Sequence, residues 1–214
     1  VLLIGSIIMA CGFIMLEPNE ARVLLFFGNY RGTFYDTGYW WVNPFMSAKK
    51  LSLRARNLNV NPIKVNDKAG NPILIGLVLV WKVKAGEIYK AVFNIDAPKA
   101  ATTTQADNGQ TSVSVKSASE MRMDALANFV AVQSDAALRQ VAGCYAYDDN
   151  SAVEGELSLR SNADEINDLL EQKLAERLDM AGIEVIEARI NYLAYAPEIA
   201  AVMLQRQQAS AIID

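Results

Sequence analysis

The chain has 214 residues, of which 52% are hydrophobic and 21% charged, and its formal net charge is −4 at pH 7. This composition is typical of a folded protein that is long enough to bury a substantial core. Histidine is absent, which excludes Ser-His-Asp and Cys-His nucleophile activation and most zinc sites, and the acidic balance disfavours nucleic acid as a partner.

Residues 1–16 form an apolar run without a single charged side chain. As a helix this run would measure about 24 Å, which is shorter than the roughly 30 Å hydrocarbon core of a bilayer. We therefore predict a membrane anchor that begins before the given sequence, with a buried hydrophobic helix or a removed segment as the alternatives. The candidate anchor residues are Leu2, Leu3, Ile4, Ile7, Ile8, Phe13 and Ile14.

Charge is distributed unevenly along the chain. Residues 1–84 carry ten Lys and Arg against four Asp and Glu, whereas residues 85–214 carry ten against twenty. Basic side chains near a membrane contribute about 1 kcal/mol each when they meet anionic headgroups, and a solvated sheet face is the alternative. The positive-inside rule favours a single-pass protein with a cytoplasmic domain and leaves the opposite side open. The candidate headgroup-facing residues are Arg22, Arg31, Lys49 and Lys50.

The first half of the chain beyond the anchor predicts mainly strands. Residues 21–28 are rich in strand formers, and Gly28, Gly32 and Gly38 indicate turns. Alternation over residues 50–57 predicts a half-buried strand, and Asp67–Gly70 predicts the connection of a hairpin. Residues 73–83, which are apolar on both faces through Val80, predict a central strand.

The second half predicts helices and one further strand. Residues 87–93 have helical character, and a polar stretch over 98–119 predicts a surface loop or a β excursion. Helices are predicted over 120–141, ending at Gly143, and from a cap at Ser161 to Gly182. Alternation over 186–194 predicts a strand.

A last helix is predicted from Pro197, with a spacing close to a heptad seam. The sequence ends without a helix stop signal, so we expect this helix to continue beyond residue 214. The candidate oligomer-helix residues are Ile199, Met203, Arg206 and Ile213.

An aromatic cluster at residues 39–45 provides the clearest local mechanism for contact with a membrane. Tyr and Trp favour the headgroup level of a bilayer, where an apolar ring and a polar edge are both satisfied. The alternative is that the rings fill the core of a small domain, and one ring facing inward with another facing outward satisfies both interpretations. The candidate membrane-interface residues are Tyr39, Trp40, Trp41 and Phe45.

An enzyme is the competing class of protein. The acidic residues Asp148, Asp149, Glu154 and Glu156 and the acids of the helix that follows supply carboxylates, but their spacing matches no metal-ligand pattern and no phosphate-binding loop is present. A solvated face with acids near a helix N-terminus is the favoured interpretation. We predict no enzymatic activity and no cofactor, with a hydrolase or metal-dependent enzyme as the less favoured alternative.

Several stretches resemble the SPFH family of stomatins, prohibitins and flotillins, over about residues 17–213. They are EPNEA at 17–21, FGNYRGT at 27–33, GYWWVNPF at 38–45, VND at 65–67, 134–139, 169–182, AYAPEI at 194–199 and QRQQA at 205–209. This resemblance implies an α+β fold with an N-terminal membrane helix, a two-part SPFH domain of mixed sheet and helices, and a C-terminal helix leading into a coiled coil.

The resemblance also implies domain boundaries and a function. The anchor covers 1–16, a membrane-proximal β-rich part 17–66, a distal α+β part 67–196 with an insertion at about 97–124, and the coiled-coil helix begins at 197. We expect a scaffold that forms a ring or cage and organises a membrane microdomain, and regulation of a membrane-bound protease through the same assembly is the alternative. The implied partners are membrane lipids, copies of this chain or of a paralogue, and a membrane protease or other membrane protein.

Overall fold

The computed structural model describes residues 12–96, 102–107, 110–115, 117–148, 157–200 and 202. Its described residues form two compact units, the first within Val1–Ala55, Lys82–Phe129 and Asp179–Glu184, the second within Arg56–Trp81, Val130–Leu178 and Val185–Asp214. The fold is α+β, with mixed sheet and helix, as predicted. The domain boundaries given above stay predictions.

The first unit is built on five short strands. They are β1 (Phe13–Leu16), β2 (Glu20–Phe26), β3 (Asn29–Phe34), β4 (Gly38–Trp41) and β5 (Met46–Ser52). Strands β1 and β4 form an antiparallel ribbon, and a second antiparallel sheet has the order β3-β2-β5. Strand β2 is central and carries the most hydrophobic run, so Ala21, Val23, Leu24 and Leu25 are all buried.

The first unit also contains the short helix α1 (Ile88–Phe93) and a hairpin of β8 (Thr102–Asp107) and β9 (Gln110–Val115). This hairpin lies in the polar stretch for which a surface loop or a β excursion was predicted, and it is the second of these. Helix α2 (Ala118–Cys144) begins in this unit, where Met121, Met123 and Leu126 are buried.

The second unit contains a sheet of order β10-β7-β6. Its strands are β6 (Arg56–Asn66), β7 (Pro72–Val83) and β10 (Ile183–Tyr195), and β7 is central, as its apolar sequence predicted. The β6–β7 connection is the predicted hairpin at Asp67–Gly70, where Gly70 has a φ of 84°. Helix α3 (Ala163–Leu178) buries Ile166, Leu170, Leu174 and Leu178 at helical spacing.

Four local expectations are corrected by the structure. Gly32 lies inside β3 rather than in a turn, and α2 continues past Gly143 to Cys144. Residues 50–57 do not form one strand, because β5 ends at Ser52, where it pairs with β2, and β6 begins at Arg56, where it pairs with β7. Helix α3 begins at Ala163, so Asn162 rather than Ser161 occupies its N-cap position.

The N-terminal prediction is corrected for the residues that can be compared. Phe13 and Ile14 lie in strand β1 and not in a helix, because their backbone pairs with β4. The other candidate anchor residues, from Leu2 to Ile8, lie outside the described residues, as do Met203, Arg206 and Ile213 of the predicted coiled coil. None of the helices that the structure describes combines the length and hydropathy needed to cross a bilayer.

Candidate functional site

The β1–β4 ribbon sorts its aromatic residues onto two faces. Residues directly opposite each other in an antiparallel pair share a face, and Phe13 pairs with Trp41 while Met15 pairs with Tyr39. These four side chains are 65%, 48%, 47% and 78% exposed, respectively. The ribbon therefore presents a solvent-exposed apolar face built from two separate stretches of sequence.

The opposite face of the ribbon is directed toward the protein. Leu16 is buried there, and the Trp40 indole Nε1 donates to the Asp36 carbonyl at 3.0 Å. The Trp40 ring centroid lies 6.0 Å from that of Phe34. Of the two adjacent tryptophans, Trp40 is 39% exposed and contacts Asp36 and Phe34, whereas Trp41 is 48% exposed and lies on the face that it shares with Phe13.

Two further phenylalanines are exposed at one end of the β3-β2-β5 sheet. Phe26, the last residue of β2, pairs with Met46, the first residue of β5. Phe27, which begins the turn after β2, and Phe45, which precedes β5, therefore lie at the same end of the sheet. Their side chains are 81% and 68% exposed. We call Phe13, Phe27, Tyr39, Trp41 and Phe45 the aromatic rim.

The apolar N-terminal stretch leads into the chain beside the aromatic rim. The Gly12 carbonyl accepts a hydrogen bond from the Val42 N–H at 2.8 Å, next to Trp41. A Cβ at position 12 would lie 2.6 Å from Trp41 Nε1, so only glycine permits this close approach. Phe13 and Trp41 follow at once on the paired strands. The described start of the chain, Gly12 and Phe13, therefore lies beside Trp41.

Phe27 is strained as well as exposed. It forms a two-residue turn with Gly28, and their φ angles of 46° and 86° are both positive. Such turns favour Asn-Gly, and a bulky residue in the left-handed region costs on the order of 1–3 kcal/mol. The Phe27 ring has an edge-on contact with Phe26, at a centroid distance of 4.8 Å. Sequence reasoning missed Phe27, although a glycine directly after a strand run was the available signal.

The four candidate headgroup-facing residues separate into two pairs. Arg22 donates to the Met15 carbonyl at 3.0 Å, and Lys50 forms an ion pair with Glu20 at 2.6 Å. Arg31 and Lys49 instead lie over aromatic rings, 5.8 Å from the Phe26 centroid and 5.1 Å from the Phe93 centroid, respectively. Neither meets a carboxylate within 4 Å among the residues described, so their charges remain available to an outside partner.

The distal residues that were predicted as sites are only partly described. Ile199 is half-buried in the helical stretch at residues 197–200, and Glu198 next to it forms an ion pair with Lys64 at 2.6 Å. The Lys64 ammonium lowers the pKa of Glu198 chiefly through this hydrogen bond. Of the acidic residues considered for an enzyme, Asp148 lies 3.8 Å from Arg160, and no described group of acidic and cysteine side chains is arranged to hold a metal ion.

Exposed Tyr and Trp rings of this kind are typical of surfaces that meet the headgroup level of a membrane. The chain belongs to the SPFH domain / Band 7 family, whose model matches residues 14–214. Members of this family are generally membrane-associated, non-enzymatic scaffolds that organise membrane microdomains. A comparison with curated proteins finds no significant match.

Proposed function

We propose that this protein is a membrane-anchored scaffold whose first unit rests on the bilayer through the aromatic rim. The observation that carries this proposal is the convergence of Phe13, Trp41 and Phe45 on the end of the unit where the apolar stretch enters. Fully burying an aromatic or large aliphatic side chain is worth about 1.5–3 kcal/mol, so a few rim residues supply a substantial second attachment. Tyr39 serves at the headgroup level through its hydroxyl.

The second attachment has a consequence for assembly. An anchor and a rim together hold each copy at one depth and tilt, so neighbouring copies meet in a common plane at high effective concentration. A head-to-tail contact repeated by rotation then closes into a ring or cage. The contrast between the basic N-terminal and acidic C-terminal parts of the sequence supplies complementary charge, and Ile199, Met203, Arg206 and Ile213 form the helical contact.

Membrane seating is tested with Trp41 as a fluorescent probe. Trp40→Phe and Trp81→Phe together leave Trp41 as the one tryptophan of the full chain. In phosphatidylcholine bilayers with brominated acyl chains, we expect strong quenching of Trp41. The matched variant that retains only Trp81, which is buried in the second unit, should stay unquenched. Equal quenching of both variants would refute seating through the rim.

Assembly is tested by cryo-electron microscopy of the full-length protein extracted with native lipid. A closed ring or dome of laterally packed copies is expected, whereas dispersed monomers would overturn the scaffold proposal. Regulation of a membrane protease would use the same assembly. It predicts that a protease co-purifies with the protein and that its substrate turnover changes when the protein is deleted.

A further inference from the structure

An open cavity of about 300 Å³ lies beside Trp41 at the rim end of the first unit. Its walls are mainly apolar, and the lining includes one charged side chain, Arg31, and one amide side chain, Asn43. The lining residues are Leu24, Arg31, Phe34, Trp41, Val42, Asn43 and Met46. A volume at the low end for ligand sites suits a headgroup rather than a whole lipid.

A β-bulge accounts for the position of Arg31. In the β2–β3 pair, Leu24 is opposite Gly32 and Leu25 is opposite Tyr30, so Arg31 is the extra residue of β3. A bulge breaks the strict alternation of side chains and redirects the residue that it inserts. The side chain of Arg31 therefore does not follow the alternation of β3, and it lines the cavity.

The charge of Arg31 defines what the cavity accepts. It is the one charged side chain that the described lining contains, and no carboxylate lies within 4 Å of it in the described part of the chain. A guanidinium binds a phosphate through two parallel hydrogen bonds. A zwitterionic headgroup would place a cation near the guanidinium with no lining carboxylate to offset it, so a headgroup of net negative charge is favoured.

We propose that this cavity binds the phosphodiester of one anionic phospholipid, with Arg31 as the phosphate ligand and Trp41 beside the glycerol region. The proposal rests on the proposed membrane seating, because the rim places the cavity mouth at headgroup depth. Its occupant is a lipid rather than a free anion, since the cavity adjoins exposed Trp41 and Phe45 and the entry of the apolar stretch.

The test is native mass spectrometry of the full chain in a mild non-ionic detergent, titrated with phosphatidylglycerol or phosphatidylcholine. One phosphatidylglycerol should bind in preference to phosphatidylcholine. Charged hydrogen bonds contribute enough that Arg31→Ala should weaken this binding about tenfold or more, while Arg31→Lys should retain part of it. Arg54→Ala is the matched control, because Arg54 follows the other end of β5, away from the rim.

Each result supports or overturns the proposal. Equal binding by wild type and Arg31→Ala, or equal weakening by Arg31→Ala and Arg54→Ala, would overturn the site. Displacement of the lipid by millimolar glycerol 3-phosphate or inorganic phosphate would assign the cavity to a free anion. Unchanged circular dichroism and thermal unfolding show that the Arg31 variants remain folded. Trp41 quenching in pure phosphatidylcholine reports seating independently, so failure of the proposed function is distinguishable from failure of the lipid site.

Discussion

Replacing Phe27 by asparagine should stabilise the protein, although the substitution removes an aromatic side chain. The φ of 46° at this position is one that asparagine adopts readily and phenylalanine does not. Relief of left-handed strain is worth about 1–3 kcal/mol, and the lost edge-on contact with Phe26 about 0.5–1.5 kcal/mol. Because Phe27 is 81% exposed, the lost contact lies at the low end of that range. The net gain expected is therefore about 1 kcal/mol.

Thermal unfolding of the full chain in detergent measures this gain. A stabilisation of about 1 kcal/mol raises Tm by about 2–4 °C for a chain of this size. Phe27→Ala is the control, since it removes the same ring without supplying a residue that favours the left-handed region, and it should show no increase in Tm. A decrease in Tm of several degrees for Phe27→Asn would show that packing of the Phe27 ring outweighs the backbone strain, and it would refute this reasoning. In bilayers, Phe27→Asn should also reduce quenching of Trp41 by brominated lipids.

Three further predictions concern stability within single units. Gly182→Ala should lower the free energy of unfolding by more than about 1 kcal/mol, because φ is 64° and the new Cβ would lie 2.5 Å from the Glu87 carbonyl oxygen. Gly143, which has open space around it, provides the control. In thermal unfolding, Gly143→Ala should be neutral or stabilising. Asn167→Ala should cost about 1–3 kcal/mol in chemical denaturation, because the buried Asn167 Oδ1 accepts the Ile190 N–H at 2.9 Å. The Lys84 ammonium, hydrogen-bonded at 2.5 Å, lowers the pKa of Asp179 below its ordinary value of 3.8, so this pair contributes stability above pH 3.8 that is lost as the pH falls through the lowered value. As the pH is lowered from 5, the free energy of unfolding should therefore decrease less steeply for Asp179→Asn than for wild type. An identical pH dependence would contradict the contribution of this ion pair. Asp168→Asn, at an exposed position on α3, is the control.

Most of the elements could be predicted because their periodicity reflects local burial. Strand β7, helix α3 and the Asp67–Gly70 hairpin each carry a hydrophobic period or a turn signal within a few residues. The predictions failed where the local pattern was ambiguous. The short apolar run Phe13–Leu16 fits either a helix or a strand. The strand β4 with which it pairs lies more than twenty residues away in the sequence. Likewise, the alternation over residues 50–57 does not show the break between β5 and β6, because that break depends on their pairing with two different strands, β2 and β7.

The candidate site, too, was predicted only in part from the sequence. The residue types alone led to the prediction of a membrane-associated protein, gave Tyr39, Trp40, Trp41 and Phe45 as candidates for the interface, and excluded histidine-based catalysis. Tertiary structure decided on which face of the ribbon each ring lies, since the β1–β4 register places Trp41 opposite Phe13 and Trp40 opposite Ile14. It also added Phe27 to the rim and distinguished Arg31 from Arg22 and Lys50. The chemistry of a side chain is a property of the residue itself. Its exposure and its ion pairs depend instead on which distant strand lies beside it, and only the pairing of strands in the folded sheets determines that.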